Sequence, residues 1–376
     1  MDERALAERL MRYDTSKPDE LRAAAGFVRG WLGSREIEVT DADHRGLPVV
    51  LADVGGPEGS PTVVFHAHID VVPAHDEQFE PRVEGDRLIG RGAYDMKGAL
   101  AAMMLATVDA AAQSAVRVRF VCVPDEESDD VDDRSIEALI AAGLRGDFAI
   151  TGEPTEMHIG VQAKGVLAVR IEVSGIAAHG STPWLGDNAI LKAHDIFRRI
   201  ETLPFSRESS DLFDRPSINL ARIVGGDAFN KVPDTCCIDV DIRYLPNQDP
   251  GAILAQIREI DDLRIVKTFT RAPAMVSRRN PYVRALRDAL SSSIQGDALS
   301  IGRDGASDAV AFLEAGVPAV EFGPVGGGHH GPEEWVSIRS LSHYRQALGD
   351  FVRQLPAWLE ADRGEGTLRA VEGGLA

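Results

Sequence analysis

Short β-branched runs alternate with helical patterns along the first part of the chain, and this alternation restricts the fold more than any other feature. A helix reads over DELRAAAGFVRGWLG, with Ser16 and Pro18 before it and Gly33 at its end. Strands follow at about residues 36–40, 48–54 and 62–65, then a helix from about Met96 to Gln113, the strand VRVRFVCV, the helix SIEALIAAG and the strand DFAIT. Strands and helices in this order predict a mostly parallel sheet with helices on both faces. From about Val166 the order changes. GVLAVRIEVSG, NAILKAHDIFRRIETL, SINLARIVGG, TCCIDVDIRYLP, PGAILAQIREI and LRIVKTFT read as β-α-β-β-α-β, the ferredoxin-like unit. After Pro273 the first pattern returns, with the helix YVRALRDALSSSI, the strand PAVEFG and a long helix from about Leu341. The expected organisation is therefore one α/β domain in two parts, residues 1–165 and 274–376, interrupted by a smaller α+β insertion at 166–273. The final stretch RGEGTLRAVEGGLA reads as frayed.

Charge narrows the partners. The 376 residues carry a net charge of −19, which disfavours nucleic acid and anionic membrane surfaces, both of which need Lys and Arg. The three cysteines, Cys122, Cys236 and Cys237, form no C-x-x-C pair, so neither a disulfide framework nor a thiolate zinc site is expected. MDERALAERL lacks an apolar signal region, and GALAAMMLATVDAAA is too short and broken to span a bilayer. A reducing, cytoplasmic setting is the expectation.

In a parallel sheet, ligands bind beyond the carboxyl ends of the strands, and here those ends share one chemistry. The strand PTVVF runs into HAHID, with His66, His68 and Asp70 at every second position. Asp95 precedes a helix in RGAYDMKG. Asp125, Glu126 and Glu127 follow VRFVCV, Glu153 follows DFAIT, and His329 and His330 follow PAVEFG. Singly, each has an ordinary explanation: a satisfied strand histidine, a helix N-cap, a solvated acidic turn. Together they deliver imidazoles and carboxylates to one edge of one sheet. That donor mixture suits Zn²⁺, with Co²⁺ or Mn²⁺ also possible ligand partners. Five ligand positions exceed what one catalytic ion takes. They fit two ions roughly 3.5–4 Å apart that share a carboxylate, an arrangement of metal-assisted hydrolysis.

Read as a set, HAHIDVVP, RGAYDMKG, PDEE, ITGEPT, AAHGSTP and HHGPEEWV resemble the dinuclear-zinc amidohydrolases and exopeptidases, the family that includes acetylornithine deacetylase, succinyl-diaminopimelate desuccinylase, aminoacylases and glutamate carboxypeptidase. The resemblance spans nearly the whole chain and implies a zinc-exopeptidase-like catalytic domain with an inserted lid and dimerisation domain. It implies His68, Asp95, Glu127, Glu153 and His330 as metal ligands, with Asp95 bridging and His329 spare. Asp70 becomes the carboxylate that orients His68, and Glu126 the general base. His179 in AAHGSTP resembles a lid histidine that reaches across a dimer to stabilise the oxyanion. Asn230 in NKVPD and Arg243 in DIRYLP resemble residues that hold a substrate carboxylate, and Gly305 in RDGASDA lies in a loop near the substrate. Two departures stand out. Ala67 and His66 precede the first ligand where the family commonly has Gly, and SDDVDD follows the double acid where small residues are common.

The resemblance thus implies a cytoplasmic hydrolase of amino-acid metabolism. It would be a homodimer acting on a small N-acyl amino acid that carries a carboxylate, by a solvent molecule activated between two ions. A di- or carboxypeptidase is the alternative within the family. A metal- or small-molecule-binding protein without turnover is the alternative outside it, against which the presence of Glu126 argues.

Overall fold

The computed structural model describes residues 2–128, 134–293, 299–305 and 307–373. The chain divides into two compact units. The first comprises residues 1–161, 276–301 and 308–376, and the second 162–275 and 302–307.

The first unit begins with helices α1 (Glu3–Met11) and α2 (Pro18–Gly33). Strands β1 (Val39–His44), β2 (Leu47–Gly55) and β3 (Thr62–His68) come next, then the hairpin β4 (Arg82–Glu84) and β5 (Arg87–Ile89). Helix α3 (Gly98–Ala111), β6 (Arg117–Val123), α4 (Ser135–Ala141), β7 (Phe148–Thr151) and β8 (Ile159–Ala163) complete its first part. The central sheet runs β1-β2-β6-β3-β7 and continues to the later strand Ala319–Glu321 and then β8. Its centre is parallel: β3 pairs in parallel with both β6 and β7, and β7 with Ala319–Glu321. The β1, β2 and β8 flanks are antiparallel. Parallel strands must be covered on both faces, and the sequence obeys this, because β7 is buried at every residue and β3 at all but its first. On one face Val64, Val121, Val123 and Ala149 pack against Ile136 and Ile140 of α4 and Phe312 of a later helix. Helix α3 is buried nearly all round, and its Met103 and Met104 are core residues.

The second unit follows the expected β-α-β-β-α-β order. Strand β9 (Gly165–Ser174), helix α5 (Ala189–Ile200), β10 (Ser217–Gly225), β11 (Thr235–Tyr244), helix α6 (Pro250–Arg258) and β12 (Leu263–Arg271) build an antiparallel sheet in the order β10-β11-β9-β12. Alternate residues of β9 and β11, Leu167 to Val173 and Cys236 to Tyr244, face α5 and α6 in one apolar core. That alternation is what a sheet covered on one face requires.

The short β13 (Ala274–Met275) ends the main segment of the second unit, and the chain continues with α7 (Pro281–Ser293), β14 (Ser300–Arg303), α8 (Ala309–Glu314) and β15 (Ala319–Glu321). Strands β16 (Gly326–Gly327) and β17 (Trp335–Ser337) join β5 and β4 in a small sheet of their own. Strands β4, β5, β8, β13, β14, β16 and β17 have no counterpart among the sequence expectations, because runs of two to five residues are too short for an apolar alternation to show. The last helix, α9, runs Ile338–Gly373 through the stretch expected to fray. Good helix formers such as Glu365, Leu368, Arg369 and Ala370 lie between its single glycines, each of which costs only about 1 kcal/mol.

Candidate metal centre

The parallel register sets the strand ends level. His66 of β3 stands opposite Val121 of β6 and Thr151 of β7, and Thr151 stands opposite Glu321 of β15. What the chain carries just beyond those residues therefore meets at one edge.

His68 closes β3 and is fully buried. Its Nδ1 lies 3.0 Å from the Asp70 carbonyl oxygen and 3.4 Å from Asp70 Oδ1. Its Nε2 points the other way, 3.0 Å from Asp95 Oδ1 and 3.7 Å from Glu153 Oε1. The Asp70 main-chain carbonyl thus stands closer to the imidazole than the carboxylate expected to orient it, and the carboxylate serves a second purpose. It accepts the backbone N–H groups of Glu126 at 3.2 Å and Glu127 at 2.8 Å, fixing the turn that follows β6. A turn is what lets two adjacent residues face one site.

Asp95 sits at the middle of the cluster, 6% exposed. While Oδ1 faces His68, Oδ2 faces His330 Nε2 at 3.3 Å and also contacts His329 Nε2. His330 Nε2 lies 3.0 Å from Glu127 Oε1. Two ligand-type groups therefore share Asp95: His68 with Glu153 on one side, and His329 with His330 on the other. His68, Glu126 and Glu127 form a third. All five expected ligands and the expected base converge. His329, expected to be spare, also touches Asp95. The two histidines occupy the centre of a turn closed by Gly331 N–H donating to the Gly328 carbonyl at 2.7 Å, and His330 takes a left-handed φ of 56°. A non-glycine residue in that region costs on the order of 1–3 kcal/mol and persists only where its surroundings enforce it.

The enforcing group is Glu334. Its fully buried carboxylate accepts from Arg91 Nη1 at 2.7 Å and from the amides of Gly92 at 3.0 Å, Tyr94 at 2.9 Å and Asp95 at 3.0 Å. Arg91 Nη2 also donates to the His330 carbonyl at 3.0 Å. One buried ion pair thereby ties the loop of Asp95 to the loop of His330. RGAYD and HHGPEEW both carry ligand positions, but neither Arg91 nor Glu334 is among the residues the sequence singles out. The available signal was an acid and a base flanking ligand positions in two separate motifs.

Other sequence candidates separate cleanly. Asp125 accepts from Ser135 N and Oγ and so caps α4. His66 is fully buried, with Nδ1 3.0 Å from Thr151 Oγ1 and its ring edge-on to Phe312, outside the three ligand groups. Asp129, Asp130, Asp132 and Asp133 of the acidic run lie outside the described residues. His179, Asn230, Arg243 and Gly305 belong to the second unit. There His179 is exposed, its Nδ1 2.7 Å from Ser181 Oγ, and Gly180 N–H donates to the Asn230 carbonyl at 2.7 Å, so His179 and Asn230 sit side by side. Arg243 Nε donates to the Asp241 carboxylate at 3.0–3.1 Å.

The electrostatics are those of carboxylates crowded away from water. Burial, with Asp95 beside it, pushes Glu153 well above the usual carboxylate range. Burial and the charge of Asp308 push Glu126 up to about 8, against the opposing effects of His68 and Arg134. Asp95 is raised by burial too, but hydrogen bonds from His329, His330 and His68 hold it well below its ordinary value. His68 responds in the opposite sense: burial disfavours its charge, and Asp70 and Asp95 more than restore it. Asp95 and Glu127 push His330 up to about 10. Among the described residues Glu153 Oε1 is buried without a hydrogen-bond partner. A buried, partnerless carboxylate oxygen facing an imidazole nitrogen that lies beyond hydrogen-bonding distance is the signature of donors arranged for a cation, and the N/O donor set suits a borderline divalent ion.

Comparison with known proteins agrees. Peptidase family M20/M25/M40 matches residues 64–354. A succinyl-diaminopimelate desuccinylase of Erythrobacter litoralis is 27% identical over 300 residues, 76% of this chain and 79% of its own. A Mycobacterium tuberculosis protein provisionally given the same name is 30% identical over 275 residues, 70% of this chain and 74% of its own. Among solved structures, a metallo-carboxypeptidase of that family from Sulfolobus solfataricus superposes with a TM-score of 0.76 at 18% identity, covering 95% of this chain and 100% of its own. A dinuclear metal-binding peptidase from Bacillus subtilis gives 0.67 at 18% identity, covering 93% and 98%. At those identities the structures speak for the fold.

Two outcomes follow from this geometry. His330 is pushed up to about 10, so at neutral pH it carries a proton that ligation must expel, and His68 and Glu153 are shifted in the same, proton-holding direction. Calorimetric titration of the metal-free protein with Zn²⁺ at pH 7, in buffers of different ionisation enthalpy, should show net proton release and an affinity that rises with pH; pH-independent binding would contradict the assignment. Replacing Glu334 by Ala strands the Arg91 charge and three amides. It should cost about 3–5 kcal/mol of stability in chemical denaturation and weaken metal retention, although Glu334 lies outside the ligand groups.

Proposed function

We propose that this chain, which belongs to peptidase family M20/M25/M40 and is a metal-dependent hydrolase, cleaves the amide bond of a small N-acyl amino acid, in the manner of a desuccinylase or deacetylase. The observation that carries this reading is Asp95, with one carboxylate oxygen turned to His68 and the other to His330. His68, Asp95 and Glu153 would hold one divalent ion, and Asp95, Glu127 and His330 a second. Zinc suits this donor mixture, and cobalt and manganese take the same ligands. Bound there, the ions supply Lewis acidity and draw the pKa of a solvent molecule towards neutrality.

The chain's own residues account for the proton. Glu126 stands in the same ligand-rich turn as Glu127 and beside His68, where it can take a proton from the attacking solvent and pass it to the departing amine. A carboxylate raised by burial is poised for both transfers near neutral pH. Asp70 keeps His68 oriented and keeps the Glu126 turn in register. His179 would stabilise the oxyanion, and Arg243, Asn230 and Gly305 would receive a substrate carboxylate. The adjacency of His179 and Asn230 and the charge of Arg243 support that division of roles.

Self-association through the second unit belongs to the same reading. Strand β10 is an edge strand, exposed along most of its length, with Ile223 and Val224 open to solvent. Trp184, Leu185, Leu191 and Phe229 of this unit are exposed as well. Unpaired edges and exposed apolar side chains are ordinarily covered by a partner, here a second copy. A reducing cytoplasm fits the three free cysteines. Among the described residues no helix is long and apolar enough to cross a membrane.

The desuccinylase relatives favour an N-succinyl diamino acid as substrate. A di- or carboxypeptidase is the second reading, favoured by the peptidase neighbours in structure. Amine release from N-succinyl, N-acetyl and dipeptide substrates, with Zn²⁺ or Co²⁺ added and with a chelated control, distinguishes them. In that assay Glu126→Gln should retain both metal equivalents and lose about 10²–10⁴-fold in kcat. A variant that keeps near-parental turnover would refute the base assignment.

A further inference from the structure

We propose that Arg134, anchored by Asp308, is a positioning residue that fixes the carboxylate of Glu126 in the orientation proton transfer needs. This inference rests on the reading of Glu126 as the base.

Arg134 stands at the N-terminus of α4 and its side chain is 7% exposed. Its Nη1 donates to Glu126 Oε1 at 2.9 Å and to Asp308 Oδ1 at 2.9 Å. Asp308 is 1% exposed and opens α8. Its second oxygen faces His66 Nε2 at 3.9 Å, and His66 is itself fixed against Thr151. The guanidinium is thus clamped from below by a buried carboxylate, and its remaining reach is spent on Glu126. A plain structural tie between α4 and α8 needs only the Arg134–Asp308 bond; it gives no reason for the same nitrogen to engage the side chain of Glu126.

The chemistry of the donor fits a positioning role. A glutamate has three side-chain torsions, and a base that samples them loses the alignment on which proton transfer depends. A charge-assisted hydrogen bond to Oε1 removes that freedom and leaves Oε2 as the oxygen that receives the proton. The donor must not exchange protons with the base it holds. Lys or His at this position could do so, whereas a guanidinium stays charged through the working pH range.

The test is Arg134→Ala in the metal-loaded protein, assayed on the amide substrate that the panel selects. Bound metal is counted, and the visible spectrum of the Co²⁺ form is recorded. The expected result is full metal content, an unchanged Co²⁺ spectrum, a kcat lower by about 10²-fold with KM nearly unchanged, and partial recovery of kcat with millimolar guanidinium. A kcat within a few-fold of the parent, a loss explained by missing metal or an altered Co²⁺ spectrum, or a loss insensitive to guanidinium would overturn the proposal. If Arg134→Ala does not fold, Asp308→Asn decides: it keeps the guanidinium but loosens its anchor, so kcat should fall with KM held, and an unchanged kcat refutes the inference. Glu126→Gln separates the two layers. An active Glu126→Gln defeats the base reading itself, whereas an inactive one beside a fully active Arg134→Ala defeats only the role of Arg134.

Discussion

Carboxyl groups crowded away from water set the terms for the rest of this molecule. Asp95, Glu126, Glu127 and Glu153 meet at the carboxyl ends of parallel strands, where burial raises Glu126 and Glu153 and the grouping is tolerated only with protons or positive charge close by. In the protein alone the histidines and, at Glu126, the Arg134 guanidinium supply positive charge, and the carboxylates in turn push His68 and His330 upward. Divalent cations would supply it more completely, replacing protons with charge that the carboxylates can share. Cations bound there would relieve the crowding that makes the metal-free arrangement costly.

Holding repelling groups in place requires a frame that does not yield, and the frame here is backbone hydrogen bonding to two further carboxylates. Asp70 takes the amides of Glu126 and Glu127, and Glu334 takes three amides from the Asp95 loop together with Arg91. Each carboxylate converts a flexible turn into a fixed one. Because Arg91 also grips the His330 carbonyl, displacement of either ligand loop is resisted by the other. Arg134 and Asp308 tie down the Glu126 side chain in the same manner. Charged groups outside the ligand set thereby account for much of the precision inside it.

Much of this was legible in the sequence, for a definite reason. The α/β alternation and the inserted β-α-β-β-α-β block follow from periodicity, which records which faces are buried, and the structure has both. Ligand-type residues at successive strand ends were readable because parallel strands bring their carboxyl ends together wherever the helices fall. What escaped was long-range pairing. Glu334 and Arg91 are 243 positions apart and Arg134 and Asp308 are 174 apart, and no local pattern announces a partner at such distances. His66 and His68 share one strand face and one residue type, yet His66 meets Thr151 and Phe312 while His68 meets Asp95 and Glu153; that distinction is tertiary. The short strands β4, β5, β8, β13, β14, β16 and β17 escaped because two to five residues are too few for an alternation to show.

The account rests on Asp95 being shared by two ions, and metal stoichiometry tests that most directly. Parental protein, Asp95→Ala, Glu153→Ala and His330→Ala would each be loaded with Zn²⁺, dialysed, and assayed for zinc per chain by elemental mass spectrometry. Two equivalents are predicted for the parent, about one for Glu153→Ala and for His330→Ala, and close to none for Asp95→Ala. An Asp95→Ala protein that keeps one full equivalent would contradict a shared carboxylate and leave two independent sites in its place.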